Sequence, residues 1–280
     1  MHRVLGLLTL GALALGLNAP ANAAWLDEDP NAACSVRVHY PASIPANAEI
    51  FIMGVGTAMS RWDYDFLAAE LNARGYVFVA MDHNPGQLVK TDATLYLNCA
   101  NEVKSNIATW LAPHGFGSVA HWIVGGHSAG GQAAQNPKSA NPSLADAIFS
   151  IDPYNLTGAG AVAGPALYWG FEATTCFVTV NDAAKAGYYG TSGQRAFVRV
   201  DRVYTLNPCG ISPKFFHCSF CDGHCPACTN CQTTPASFFV DVANSVQKFI
   251  DAAFYGTWSK ANLAVAMTTP VELFVDADTP

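Results

Sequence analysis

Short runs that are apolar on successive residues alternate along this chain with stretches whose apolar residues recur at helical spacing. Ile50 to Met53, Tyr76 to Met81, Val119 to Val124 and Ala147 to Ile151 are of strand length and nearly unbroken. A strand that is apolar on both sides must be covered on both faces, the condition met by a parallel sheet with helices above and below. Val103, Ile107, Trp110 and Leu111 share one helical face ahead of Gly115 as a stop signal, and Val242, Val246, Phe249, Ile250 and Ala253 repeat the spacing. A helix is also expected from Asp63-Tyr64-Asp65-Phe66 towards Gly75, while Val36, Val38 and Tyr40 alternate with Arg37 and His39 as in a strand. Cys176 to Val180 and Phe215 to Phe220 complete the predicted strands. Thr157 to Gly170, rich in Gly and Ala, is expected to be a loop over one end of the sheet, and the tail after Trp258 receives no assignment. The expectation is an α/β fold with a mostly parallel central sheet and helices on both faces, in a single domain from residue 24 to 280.

Composition narrows the class of protein. Of 280 residues, 51% are hydrophobic and 12% charged, against roughly 25% charged in an ordinary soluble chain. That excludes a disordered chain. A net charge of −7 provides no basic field for nucleic acid. At the N-terminus, Met1-His2-Arg3 precedes an uncharged run from Val4 to Leu17, and Ala21-Asn22-Ala23 has the small-x-small form of a cleavage site. The run is too short to span a bilayer. A signal peptide over residues 1–23 is therefore expected, with no transmembrane segment and a secreted or periplasmic chain starting near Ala24. The nine cysteines are then read first as disulfides.

The most specific motif is Gly126-His127-Ser128-Ala129-Gly130. It is G-x-S-x-G between an apolar strand and a small-residue stretch able to start a helix, the context in which such a serine is a nucleophile. A nucleophile on a sharp turn needs flanking residues without side chains, and the helix-start amide of Ala129 can bind an oxyanion. Gly54-Val55-Gly56 is not a dinucleotide fingerprint, since Met59 stands where the third glycine belongs.

A serine nucleophile requires a base, an acid to orient the base and a second oxyanion donor. His224, in the turn Cys221-Asp222-Gly223-His224, is preferred as base over His217, which falls inside an apolar run. His39, His83, His114, His121 and His127 do not fit the chain order and are read as solvent-facing or hydrogen-bonded structural residues. Asp152 and Asp182 each follow a predicted strand, where open α/β sheets place their sites, and the pattern does not choose between them. The second oxyanion amide is expected from the loop after Met53, at Val55.

Phe51-Ile52-Met53-Gly54-Val55-Gly56, Asp63-Tyr64, the stretch Leu71 to His83, the Ser128 motif, Ile151-Asp152-Pro153 and Asp222-Gly223-His224 together resemble the α/β-hydrolase superfamily. More narrowly they look like the branch of chlorophyllases, platelet-activating-factor acetylhydrolases and cutinase-type polyester hydrolases. The similarity spans most of residues 49 to 255. In the chlorophyllase-like relatives the Asp of Ile-Asp-Pro is the triad acid, which implies Asp152; the cutinase-type arrangement implies Asp182. Ala129 stands where chlorophyllases carry Arg, and Met53-Gly54 where the family often has His-Gly or Pro-Gly.

Cys218, Cys221, Cys225, Cys228 and Cys231 crowd around His217 and His224. The spacing is wrong for a zinc ribbon, and expected export disfavours thiolate ligands, so disulfides bracing the His224 loop are preferred over a metal or redox module. Cys176 is expected as a buried free thiol, and Asn155-Leu156-Thr157 matches a glycosylation acceptor. Trp62, Trp122, Tyr154 and Trp169 are candidates to line an apolar cleft. The functional expectation is a secreted serine carboxylester hydrolase, using no metal or cofactor, acting on a small-molecule or polymeric apolar ester. The alternatives are an inactive hydrolase-like binding protein and the metal or redox module.

Overall fold

The computed structural model describes residues 24–171, 183–200, 236–269 and 271–280. The expected signal peptide and the predicted strands at Cys176 to Val180 and Phe215 to Phe220 lie outside them.

The chain begins with β1 (Ala24–Asn31) and β2 (Cys34–Tyr40), an antiparallel pair, and then alternates strand and helix. β3 (Asn47–Gly54) leads through a 3₁₀ turn (Arg61–Tyr64) into α1 (Asp65–Asn72) and β4 (Val77–Asp82); α2 (Ala93–Leu111) leads to β5 (Ser118–His127), and α3 (Ala129–Ala140) to β6 (Ala147–Ile151). β7 (Val162–Ala163) precedes β8 (Ala166–Phe171), and α4 (Ala183–Tyr189) and β9 (Thr191–Ser192) precede β10 (Arg195–Val200). α5 (Ala236–Ile250), α6 (Lys260–Leu263) and β11 (Val271–Val275) follow. Among the described residues, nine strands form one sheet in the order β1-β2-β4-β3-β5-β6-β8-β10-β11. From β4 to β10 every neighbouring pair is parallel, while β1, β2 and β11 add antiparallel pairings at the two edges. β7 and β9 pair separately.

The unbroken apolar character of the strands matches their cover. Phe51 and Met53 face one core with Leu67, Leu71, Phe238 and Val242, whereas Ile50 and Ile52 face another with Tyr96, Val103, Ile107 and Ala133. Thus α1 and α5 cover one face, α2 and α3 the other. Among the described residues, no helix is long and apolar enough to cross a membrane.

Two expectations change. The stretch Thr157 to Gly170 is not all loop: Ala166–Phe171 is a wholly buried strand inside the sheet. Gly170 disguised it, since a Cβ there would come 2.5 Å from the Cβ of Ala184 on α4. The helix packs onto the strand at a position that must be bare. The tail after Trp258 also acquires structure, as α6 and the edge strand β11.

Candidate active site

The sheet order reverses around β3 and β5, because β3 pairs with β4 on one side and β5 on the other. Open α/β sheets form their crevice at such a switch point, outside the carboxyl ends of the strands. Gly54-Val55-Gly56 leaves β3 there, and Ser128 follows β5 immediately.

Ser128 has φ 54° and ψ −121° and is the residue preceding α3. A non-glycine residue in this region stores strain of order 1–3 kcal/mol and is held only where its surroundings over-determine it. Its amide donates to Ile151 O at 3.1 Å, and its carbonyl accepts the amides of Gln132 at 3.1 Å and Tyr154 at 2.9 Å. Close backbone packing completes the hold. A Cβ on Gly130 would lie 2.1 Å from Gly54 O, so α3 starts directly against the end of β3. Tyr96, fully buried, places its hydroxyl 3.0 Å from Ile52 O and 2.9 Å from Gly125 O, tying β3 to β5 just before the turn. Burial pushes that phenol well above its ordinary pKa. As the first residue of α3, Ala129 has an amide with no partner of its own within the helix.

The loop after β3 is held by its amides. Val55 N–H donates to Met81 O (3.2 Å), Gly56 N–H to the Tyr64 hydroxyl (2.8 Å), Ala58 N–H to Leu88 O (2.8 Å) and Met59 N–H to Gly56 O (3.1 Å). Val55, expected to offer its amide to an oxyanion, instead uses it to extend the parallel β3–β4 ladder by one bond. Among the described residues, the loop amide left without an acceptor is that of Thr57, whose residue is exposed. The Leu88 segment is itself braced: buried Lys90 pairs with Asp82 at 2.7 Å, and His83 Nε2–H donates to Lys90 O at 2.6 Å. Burial pulls the His83 imidazole below its ordinary pKa.

Asp152 follows β6, buried at 4% exposure, with φ 38° and its amide donated to Trp169 O at 2.7 Å. One carboxylate oxygen lies 3.7 Å from where a Cβ of Gly170 would be, over the end of β8. The two strained non-glycine residues Ser128 and Asp152 thus leave neighbouring parallel strands and are joined through Ile151 and Tyr154. His224, Asp182 and the cluster Cys218 to Cys231 lie outside the described residues. Among those described, no group of three His, Cys, Asp or Glu side chains is placed to hold a metal.

Of the aromatic candidates, Tyr154 stands beside Ser128 and is 38% exposed, and Trp62 is exposed within the 3₁₀ turn. Trp169 is entirely buried, its indole N–H donating to Ser245 Oγ at 2.8 Å, and Trp122 packs against the core on the α2 face. Trp169, wholly buried on a strand inside the sheet, is not available to line a cleft. Gly56 and Tyr64 fall within Gly54-Val55-Gly56 and Asp63-Tyr64 without a pattern that assigns them a role, and Thr57 carries no signal in the sequence. Compared with models of protein families and with curated protein sequences, the chain matches none.

Proposed function

We propose that this protein is a serine carboxylester hydrolase of the α/β-hydrolase type. The observation that carries the proposal is Ser128, held at φ 54° on a strand-to-helix turn at the switch point of a mostly parallel sheet. Strain of this kind concentrates at functional sites, and here it presents a hydroxyl-bearing residue at the first amides of a helix.

In the proposed reaction Ser128 Oγ attacks the ester carbonyl while His224 takes its proton; Asp152 orients the imidazole and stabilises its cation. The alcohol leaves with a proton from His224. Water then attacks the acyl-enzyme through the same base and releases the acid. Ala129 N–H and, in place of Val55, Thr57 N–H bind the oxyanion. Asp152 is preferred to Asp182 because its buried carboxylate sits one strand from Ser128, on a turn bonded to the nucleophile's own backbone.

An apolar ester is the proposed substrate class. Leu88 and Val89, 71% and 61% exposed, lie on the segment whose carbonyl holds the oxyanion loop, and Tyr154 flanks the nucleophile from the other side. Secretion belongs to the same proposal. The Cys34–Cys99 disulfide supports it, since such bridges persist in oxidising compartments.

The test is turnover of p-nitrophenyl esters graded by acyl length, together with fluorophosphonate labelling. Ser128→Ala abolishes both while circular dichroism stays native; retained turnover sinks the proposal. Asp152→Asn lowers kcat by about 10⁴-fold, and Asp182→Asn leaves it within a few-fold. The reverse result moves the acid to Asp182.

A further inference from the structure

We infer that Tyr64 and His127 form a positioning pair that locks the loop after β3 onto the nucleophile turn, so that the oxyanion-binding amides are in place before substrate arrives. The inference rests on Ser128 being the nucleophile and adds two residues to its machinery. Neither touches substrate; both act through Gly56 and Ser128.

Tyr64 closes the 3₁₀ turn and is 2% exposed. Its hydroxyl accepts Gly56 N–H at 2.8 Å and makes a second hydrogen bond, 2.9 Å, with Nδ1 of His127. His127, also 2% exposed, is the last residue of β5 and the one preceding Ser128. Two hydrogen bonds therefore connect the oxyanion loop to the peptide that carries the nucleophile. The two rings meet edge to face, 5.8 Å between centroids. Gly56 is the point of contact: a Cβ there would lie 3.2 Å from His127 Nδ1 and 3.3 Å from Ser128 Cβ. The neighbouring Thr57 amide is consequently tied towards Ser128 by a buried polar bridge, which acts beside the bond from Ala58 N–H to Leu88 O.

A loop held this way is preorganised electrostatically. Removing one oxyanion donor outright costs about 10²–10³-fold in kcat, and a misplacement of ~1 Å costs ~100-fold. Loosening the loop while keeping the donor should cost less, about 10- to 50-fold, and should spare ground-state binding because the oxyanion exists only beyond the substrate state.

The experiment compares Tyr64→Phe, His127→Leu, His127→Asn and the double variant Tyr64→Phe/His127→Leu, with p-nitrophenyl butyrate and a fluorophosphonate as probes. Tyr64→Phe keeps KM within about twofold, lowers kcat about 10- to 50-fold and slows labelling of Ser128 by the same factor. His127→Leu matches it, and the double variant is no worse than either single one, as expected of one shared bridge. His127→Asn, whose amide reaches the position of Nδ1, restores most of kcat. A purely structural pair would lower thermal stability and leave kcat of the folded protein unchanged. A Tyr64→Phe protein with native circular dichroism and kcat within twofold of the parent overturns the inference. Where Tyr64→Phe fails to fold, equal kcat in His127→Asn and His127→Leu overturns it instead. Ser128→Ala run alongside separates the two readings: if it still turns over ester, the nucleophile assignment falls; if it is inactive, any failure at Tyr64 and His127 belongs to the pair alone.

Discussion

At Gly130 a single hydrogen decides whether the turn that carries Ser128 exists, for any larger group would meet the Gly54 carbonyl. The Ser128 motif announces this in the sequence because the constraint lies within five residues. The partner side of the contact, Gly54, and the Tyr64–His127 bridge are set 63 to 76 residues from the motif and leave no local trace. His39 shows how burial alone rewrites a residue's chemistry. It alternates with Val38 and Tyr40 like an exposed strand position, yet it is 2% exposed. Burial, with the Arg37 guanidinium adding to it, pushes its pKa down to about 3, and the opposing pull of the Asp27 carboxylate does not reverse this. The unfolded chain takes up a proton on His39 as pH falls through its ordinary value near 6.5, whereas the folded protein does so only near 3. Stability contributed by the neutral form is complete above 6.5 and is lost as pH falls from there towards 3, by about 1.4 kcal/mol per pH unit within that window. Urea unfolding of the parent and His39→Gln at pH 7, 6, 5 and 4 should therefore show the parent's advantage shrinking with acidity; parallel curves would remove His39 as the cause.

Among the elements, those with strong periodicity were legible and those defined by a partner were not. α2 carries its apolar stripe openly, and Asp92 caps it by accepting the amides of Thr94 at 2.8 Å and Leu95 at 2.9 Å. β8 was hidden because Gly170 answers to Ala184 on α4, and β11 because an edge strand with exposed Glu272 has half the apolar signal of a central one. The pairing of Cys34 with Cys99 was hidden as well. It links β2 to α2 across 65 residues of sequence, and cysteine counting gives no connectivity. Closing a loop of that length in the unfolded chain stabilises the fold by about 4 kcal/mol in the chain-entropy account. The variant Cys34→Ser/Cys99→Ser should lose about that much in urea unfolding, with the proposed ester turnover at 25 °C unchanged because β4 and β3 stand between β2 and the strand that carries Ser128. A loss well below 1 kcal/mol would mean that the bridge does not form in solution.

For the molecule as a whole, the tail seals the sheet beyond β10. β11 pairs antiparallel with β10 and buries Phe274 and Val275, and the approach to it is anchored by Asp241 of α5, whose carboxylate accepts the amides and hydroxyls of Thr268 and Thr269 at 2.7 to 3.0 Å. The indole N–H of Trp258 adds a bond to the Asp276 carboxylate at 2.9 Å. Asp241→Ala leaves four donors to find other partners and should cost about 3 kcal/mol, with amide exchange accelerated first in residues 271–275; uniform acceleration over the whole sheet would show that the tail is not a separate anchor. By itself the sequence determined the class of fold, because strands apolar on both sides demand cover on both faces, and it determined the nucleophile candidate, because a five-residue turn carries its own steric code. Only the tertiary structure decided that Val55 spends its amide on β4, that Thr57 retains one, and that Tyr64 bonds His127. Each of these depends on which chain segments meet at the switch point, and such meetings are made by the packing of distant elements, which local pattern does not record.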